Sequence, residues 1–263
     1  MFSKYLEFIG GESIKRIESI GRISLFFLKG LFQAILPPFQ YDKIIDQTWF
    51  IGTKSIFIIV LTSLFTGMVL GLQGYHTLVT FGSEAALGSA VSMTLIRELG
   101  PVLAAIMITA RAGSAMAAEI GVMRMSEQID ALSTMGINPI RFIFSPRLIA
   151  GLISFPLLTA LFDVVGIFGG YLSGSLILGI NKAVYMDKVI HSISLADIGG
   201  GFLKAGVFAL IVTTVCCYRG YYAHLVGSNG FGAKGISTAT TKAVVNSCVL
   251  ILISDYIITF FLV

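Results

Sequence analysis

The chain has 263 residues, of which 56% are hydrophobic and only 12% charged, with a formal net charge of +4. Its mean hydropathy is +0.89. An ordinary soluble domain carries roughly 25% charged residues, so this composition excludes a soluble enzyme and a disordered chain and points to an integral membrane protein. In such a chain a modest excess of bases orients the spans and gives no reason to expect nucleic acid as a partner.

Taken in order, the first 47 residues lack a cleavable signal peptide, because Glu7, Glu12 and Glu18 interrupt the bases and no short apolar stretch ends in a small-residue cleavage site. Ile14 to Leu36 reads as an amphipathic helix lying on the membrane surface. Ile14, Ile17, Ile20 and Leu25 form its apolar face, Lys15, Arg16, Glu18 and Arg22 stand between them, and Pro37-Pro38 ends it. A sixth span over Ile23 to Leu36 is the rival; Lys29 and the short length count against it.

Residues 48–263 form the membrane domain. Five segments are long and apolar enough to cross about 30 Å of hydrocarbon: Trp49 to Leu72, Ser89 to Ala118, Leu148 to Leu178, Gly200 to Tyr218 and Ala243 to Val263. Nothing alternates as a β-barrel strand would. The fold class is therefore all-α: an interfacial amphipathic helix followed by a five-span bundle. With the N-terminus in the cytoplasm, twelve bases (Lys4, Lys15, Arg16, Arg22, Lys29, Lys43, Arg124, Arg141, Arg147, Arg219, Lys234, Lys242) fall on the inner side and two (Lys182, Lys188) outside. That asymmetry predicts a cytoplasmic N-terminus and an external C-terminus. The third span is too long for a straight crossing, about 50 Å from Leu148 to Ile180, and Pro156 offers a bend. Gly166, Gly170 and Gly174, like Gly67 and Gly71, are spaced to let another helix approach, either within the chain or across a dimer seam.

Ionisable residues inside spans are expensive and usually functional. Arg97 and Glu98 sit in the second span just before Gly100-Pro101, with Arg111 and Glu119 further along. Asp163, Lys204 and Asp255 occupy the third, fourth and fifth spans. Helical rise puts Arg97 ~12 Å, Lys204 ~6 Å and Asp255 ~12 Å below the outer face. A buried cluster of Arg97, Glu98, Lys204 and Asp255 is expected, against the alternative that Lys204 snorkels outward and the rest pair structurally. Adjacent Arg97 and Glu98 diverge by about 100°. Pro101 removes a hydrogen bond to the Arg97 carbonyl.

After the second span, Ser126 is expected to N-cap a short cytoplasmic helix with Glu127 and Asp130 near its start. Ile129, Leu132 and Met135 lie on one face, and Gly136 and Asn138-Pro139 stop it. That face seats either in a partner or under its own bundle. Cys216, Cys217 and Cys248 form neither a disulfide framework nor a metal pattern, and His76, His191 and His224 are too scattered to ligate a metal. Gly230-Phe-Gly-Ala-Lys-Gly235 fits a dinucleotide fingerprint by letter only, because it follows a membrane helix. No phosphate-binding G-x-x-x-x-G-K-[ST] loop exists, so any ATP-driven motor lies in another chain.

Several of these stretches resemble one family. Leu95-Ile-Arg-Glu-Leu-Gly-Pro-Val102, Ala110-Arg-Ala-Gly-Ser-Ala115 through Ala118-Glu-Ile-Gly121, Glu127-Gln-Ile-Asp-Ala-Leu132, Ser145-Pro-Arg147 and Gly67-Met-Val-Leu-Gly-Leu-Gln-Gly-Tyr75 are similar to motifs of the MlaE/YrbE permeases, in the same order. The resemblance implies the membrane subunit of an ATP-binding-cassette transporter that moves phospholipids between the inner and outer membranes of Gram-negative bacteria, itself in the inner membrane. It implies a homodimer with the lipid pocket at its interface, a cytoplasmic ATPase dimer carrying ATP and magnesium, a periplasmic MCE-domain hexamer and an accompanying STAS-domain protein. By the same resemblance Leu70, Leu78 and Phe81 are pocket or gate residues and Arg97 and Glu98 its polar wall. Glu127, Gln128, Asp130 and Leu132 belong to the helix that couples to the ATPase. Asp163 has no place in the family pattern. An ion-driven carrier and an intramembrane lipid enzyme are the competing classes. Five spans do not divide into two repeats, and Glu98, Glu119 and Asp163 have no nucleophile beside them by any obvious motif.

Overall fold

A computed structural model describes residues 18–19, 21–34, 37, 40–225 and 232–262. All regular structure among them is helical, and five helical runs are long and apolar enough to span a membrane: Tyr41–Thr80, Glu84–Met125, Pro139–Ile177, Leu195–Tyr221 and Ala233–Leu262. The chain is a multi-pass membrane protein.

Each run overlaps one expected apolar segment and starts before it, and the first, second and fourth also extend past its end. The first run is helix α2 (Tyr41–Ile51) joined through a tight turn at Thr53–Ser55 to α3 (Ile56–Thr80). The 47/48 boundary between the expected segments falls inside α2. The break at Gly52 frees the Phe50 carbonyl, and Arg111 takes it up. Its guanidinium donates to that oxygen and to Ser55 Oγ at 3.2 Å, and lies over the Phe50 ring. Arg111 is thus a stitch between two spans.

The second run is α4 (Leu87–Thr94), a π-helical turn at Leu95–Leu99, α5 (Gly100–Ile108), a second π turn at Thr109–Gly113, and α6 (Ser114–Met125). A short helix α7 (Gln128–Thr134) leads to α8 (Pro139–Tyr171), which runs through Pro146 and Pro156 and ends in a π turn at Leu172–Ile177. Asn138 caps α8 by accepting from Ile140 N at 3.1 Å, with Pro139 at the first helical position. The short α9 (Lys182–Ser192) precedes α10 (Leu195–Tyr221), and α11 (Ala233–Leu262) closes the bundle.

Residues 21–34 form helix α1. Its buried stripe is Phe26, Gly30 and Ala34, because Phe26 packs edge-on to Phe144 and Tyr218 at 5.3 and 5.8 Å and Gly30 lies against the Phe144 ring. Leu25 of the expected apolar face is 57% exposed, free to face lipid; Ile14, Ile17 and Ile20 lie outside the described residues. Helix α1 braces the bundle at the α7 end.

The glycine stripes meet within the chain. Gly67 abuts the Gly166 backbone, Gly71 lies against Gly170 and Ser173, and Gly169 against Leu64. The α3–α8 contact is therefore backbone to backbone, and the within-chain alternative is the one realised. Gly174 instead faces Leu87 and Tyr185. Two apolar cores result, one through the middle of the bundle and one at the α7 end around Phe26, Ile129, Phe144 and Tyr218.

Candidate functional site

Three spans place a polar cluster near the α9 end. Lys204 of α10 is 1% exposed, so it does not snorkel. Its ammonium donates to Glu98 Oε2 at 2.8 Å and to the Arg97 carbonyl at 2.7 Å, and lies 3.0 Å from Asp255 Oδ1. The local sequence explains the carbonyl contact. Gly100 N–H reaches back five residues to Leu95, and Pro101 has no N–H to give. The Arg97 oxygen is left to a side chain from another helix. Gly201, one turn before Lys204, lets α10 approach, since a Cβ there would stand 3.0 Å from the Ile96 carbonyl. Thr259 Oγ1 donates to the Asp255 carbonyl at 2.8 Å and lies 3.3 Å from both Glu98 carboxylate oxygens.

The expected cluster of Glu98, Lys204 and Asp255 is thus assembled, and Arg97 enters it through its backbone. The Arg97 side chain, diverging from Glu98 as helical geometry demands, reaches Asp197 instead: Nε to Oδ1 is 2.7 Å. Asp197 also closes a capping box with Ser194 at the start of α10. Sequence reasoning missed Asp197 and Thr259. The signal for the first was present in Ser194-x-x-Asp197, a capping-box spelling.

These groups wall a cavity of about 360 Å³ lined by Arg97, Glu98, Asp197, Gly201, Lys204 and Thr259. Leu70, Leu78 and Phe81 are not among its walls. Leu70 and Leu78 are half-buried on α3 against the central core, and Phe81, just past the end of α3, is 76% exposed. A second cavity of about 230 Å³ lies between α8 and α10. It is apolar apart from Thr159 and Asp163. Asp163 Oδ1 is buried and without a hydrogen-bond partner among the described residues, and it lies against the Gly100 backbone.

At the opposite end α7 starts differently from expectation. Ser126 turns back to donate to the Val122 carbonyl at 2.9 Å and is not its N-cap. Glu127 holds that position with φ of 58°, the only positive φ outside glycine among the described residues. Such strain persists where surroundings enforce it, often at functional positions. Ile129 is buried in the lower core while Met135 is 72% exposed; Leu132 is half-buried, and Gln128 and Asp130 are exposed. One face seats under the bundle and the other remains open. Arg124 ties the loop together, bonding Asp130 at 2.6 Å and His224 Nδ1 at 3.1 Å. Behind it Arg147, buried, pairs with Glu119 at 2.9 Å and links α6 to α8.

Burial, and then the Arg124 charge, hold the His224 imidazole below its ordinary pKa of 6.5, against a smaller pull upward from Asp130. A group depressed on folding stabilises the fold above its unfolded pKa and loses that contribution as pH falls through the folded value. Acidification below about 6.5 should therefore lower the melting temperature of the protein more than that of His224→Gln. Parallel pH profiles from 8 to 5.5 would deny the contact.

No group of three His, Cys, Asp or Glu residues able to hold a metal occurs among the described residues. The sequence profile described as Permease MlaE matches residues 44–261. A probable ABC transporter permease protein of Rickettsia felis is 43% identical over 251 residues, covering 95% of each chain. The intermembrane phospholipid transport system permease protein MlaE of Haemophilus influenzae is 38% identical over 264 residues, covering 98% of this chain and 97% of that one. A probable ABC transporter permease protein of Synechocystis is 36% identical over 239 residues, 90% and 89% of the two chains. The buried charge cluster, the five spans and the loop at α7 are thus features of a chain that belongs to the MlaE permease family.

Proposed function

We propose that this chain is the membrane subunit of an ATP-binding-cassette transporter that moves phospholipid between the inner and outer membranes. The observation that carries the reading is the charged cavity at Arg97, Glu98 and Lys204 inside an otherwise apolar bundle. A phospholipid needs a few polar groups for its head and apolar surface for its chains, and the cavity and its flanking helices offer both. The similarity to the Haemophilus permease supports the cargo.

The chain sits in the inner membrane with its N-terminus and α7 in the cytoplasm and its C-terminus in the periplasm. The twelve-to-two distribution of bases supports that orientation. Two copies associate along α11, the least buried span, whose Thr259 and Leu262 line the cavity; a second copy would complete its wall, with Leu70, Leu78 and Phe81 contributing apolar surface. An ATPase dimer that holds ATP and magnesium docks on α7 through Glu127, Gln128, Asp130 and Leu132, with a STAS-domain protein alongside. A periplasmic MCE-domain hexamer receives the lipid at the α9 end.

Native mass spectrometry of the gently purified complex tests the assembly: a P-loop ATPase, an MCE protein and bound phospholipid should copurify. Repeated isolation of the chain with neither partner nor lipid would overturn the reading. The motor contact has its own test. Glu127→Gly relieves the positive φ, so the protein should melt no lower and gain up to about 1 kcal/mol, while lipid transfer per ATP hydrolysed falls severalfold. Unchanged coupling in that variant would remove Glu127 from the contact.

A further inference from the structure

The cavity at Lys204 holds more carboxylates than uncommitted cations. Its charged walls are Arg97 and Lys204 against Glu98 and Asp197, with Asp255 behind Lys204. Lys204 is committed: its ammonium donates to the Arg97 carbonyl and to Glu98 Oε2 and is ion-paired with Asp255 at 3.0 Å. Arg97 has Nε committed to Asp197, and its side chain is 48% exposed, so its two terminal amino groups face the opening. Among the acids, Glu98 Oε2 receives Lys204, whereas Oε1 meets only Thr259 Oγ1 at 3.3 Å. The single proton of that hydroxyl is better placed on the Asp255 carbonyl at 2.8 Å. The Glu98 side chain is 41% exposed. The walls therefore offer a carboxylate oxygen that lacks a committed donor, and one guanidinium edge beside it.

We propose that this site selects phospholipids with a primary-ammonium headgroup, of the ethanolamine kind, over anionic glycerol headgroups and over quaternary choline. The proposal rests on the lipid-transport reading above. The ammonium donates to Glu98 Oε1 and the phosphate accepts from the terminal amino groups of Arg97, a charge-assisted bond at each end. A neutral zwitterion leaves the charge of the walls unchanged. An anionic glycerol headgroup has no ammonium to donate and leaves the Glu98 oxygen unmatched. Choline carries the positive charge without an N–H to donate.

The test uses the purified complex equilibrated with nanodiscs containing equal fractions of phosphatidylethanolamine, phosphatidylcholine and phosphatidylglycerol with matched acyl chains. Retained lipid is identified by mass spectrometry. Phosphatidylethanolamine should be enriched about tenfold over phosphatidylglycerol, the size of one hydrogen bond to a charged group. Glu98→Gln should bring the ratio close to parity in the lipid that remains bound. Because that variant also alters the Lys204 environment, Asp197→Asn is measured beside it: the residue is at the rim, asparagine preserves the cap, and loss of one negative charge should raise the phosphatidylglycerol share severalfold. Equal retention of the two lipids by the unmodified complex, or an unchanged preference in both folded variants, would overturn the headgroup assignment while leaving lipid transport standing. Retention of no phospholipid of any class would overturn the transport reading itself, and the headgroup assignment with it.

Discussion

Lys204→Ala is expected to destabilise the protein by about 3–5 kcal/mol, the usual effect of removing one partner from a buried ion pair. Glu98 and Asp255 would then face each other in the membrane without a cation, and the Arg97 carbonyl, already deprived of a helical donor by Pro101, would lose the Lys204 ammonium that replaces it. Thermal melts followed by size-exclusion chromatography in mild detergent should show the monodisperse peak lost at much lower temperature. Lys204→Met combined with Glu98→Gln and Asp255→Asn conserves volume and leaves no charge uncompensated, so most of the stability should return. Lipid retention should not return with it. Asp255→Asn alone should do less harm, because Lys204 keeps Glu98 and the Arg97 carbonyl. A double-mutant cycle on Lys204 and Asp255 measures their coupling directly; a coupling near zero would take Asp255 out of the cluster, and a Lys204→Ala protein that melts normally would deny the cluster any structural role.

That Lys204, Glu98 and Asp255 meet was legible in the sequence because depth in a membrane is arithmetic: 1.5 Å of rise per residue from a recognisable apolar boundary. Rotation about the helix axis is not. The divergence of Arg97 from Glu98 follows from helical geometry, but the π turn at Leu95–Leu99 shifts the register by a fraction of a turn and leaves no pattern in residue type, so Asp197 as the partner of Arg97 was not readable. Helix ends were equally hidden. α8 begins at Pro139, well before the apolar run at Leu148, since its first three turns carry Arg141, Ser145 and Arg147, which hydropathy treats as loop. Which residues of helix α1 meet the bundle was hidden for a related reason. On a membrane-associated helix, large apolar residues are free to face lipid, and small ones mark the close contact, as Gly30 does against Phe144. Ser126 failed as a cap because the chain turns through Glu127 with positive φ, a conformation that residue type alone argues against.

Gly67→Ala should have the largest effect of any single-methyl change in the chain. The added Cβ would overlap the Gly166 carbonyl, which belongs to helix backbone and cannot swing aside as a side chain would. Overpacking of this kind costs about 1–3 kcal/mol for small increments, and Gly67→Leu should prevent α3 from closing on α8 at all. Gly206→Ala on α10 is the matching control. Nothing lies within 4 Å of a Cβ there, and the gain in helix propensity should stabilise the protein by up to about 1 kcal/mol. The pair of melts therefore moves in opposite directions for the same chemical change, and the sign depends only on what stands opposite the glycine. The rival use of the stripe, as a seam between two copies, makes a different prediction: Gly67→Ala would leave the protomer's melt unchanged and shift only the dimer–monomer equilibrium. Since Gly67, Gly71 and Gly169 are each filled from within the chain, loss of protomer stability is the expected outcome, and a dimer must be built on other faces, of which α11 is the least buried.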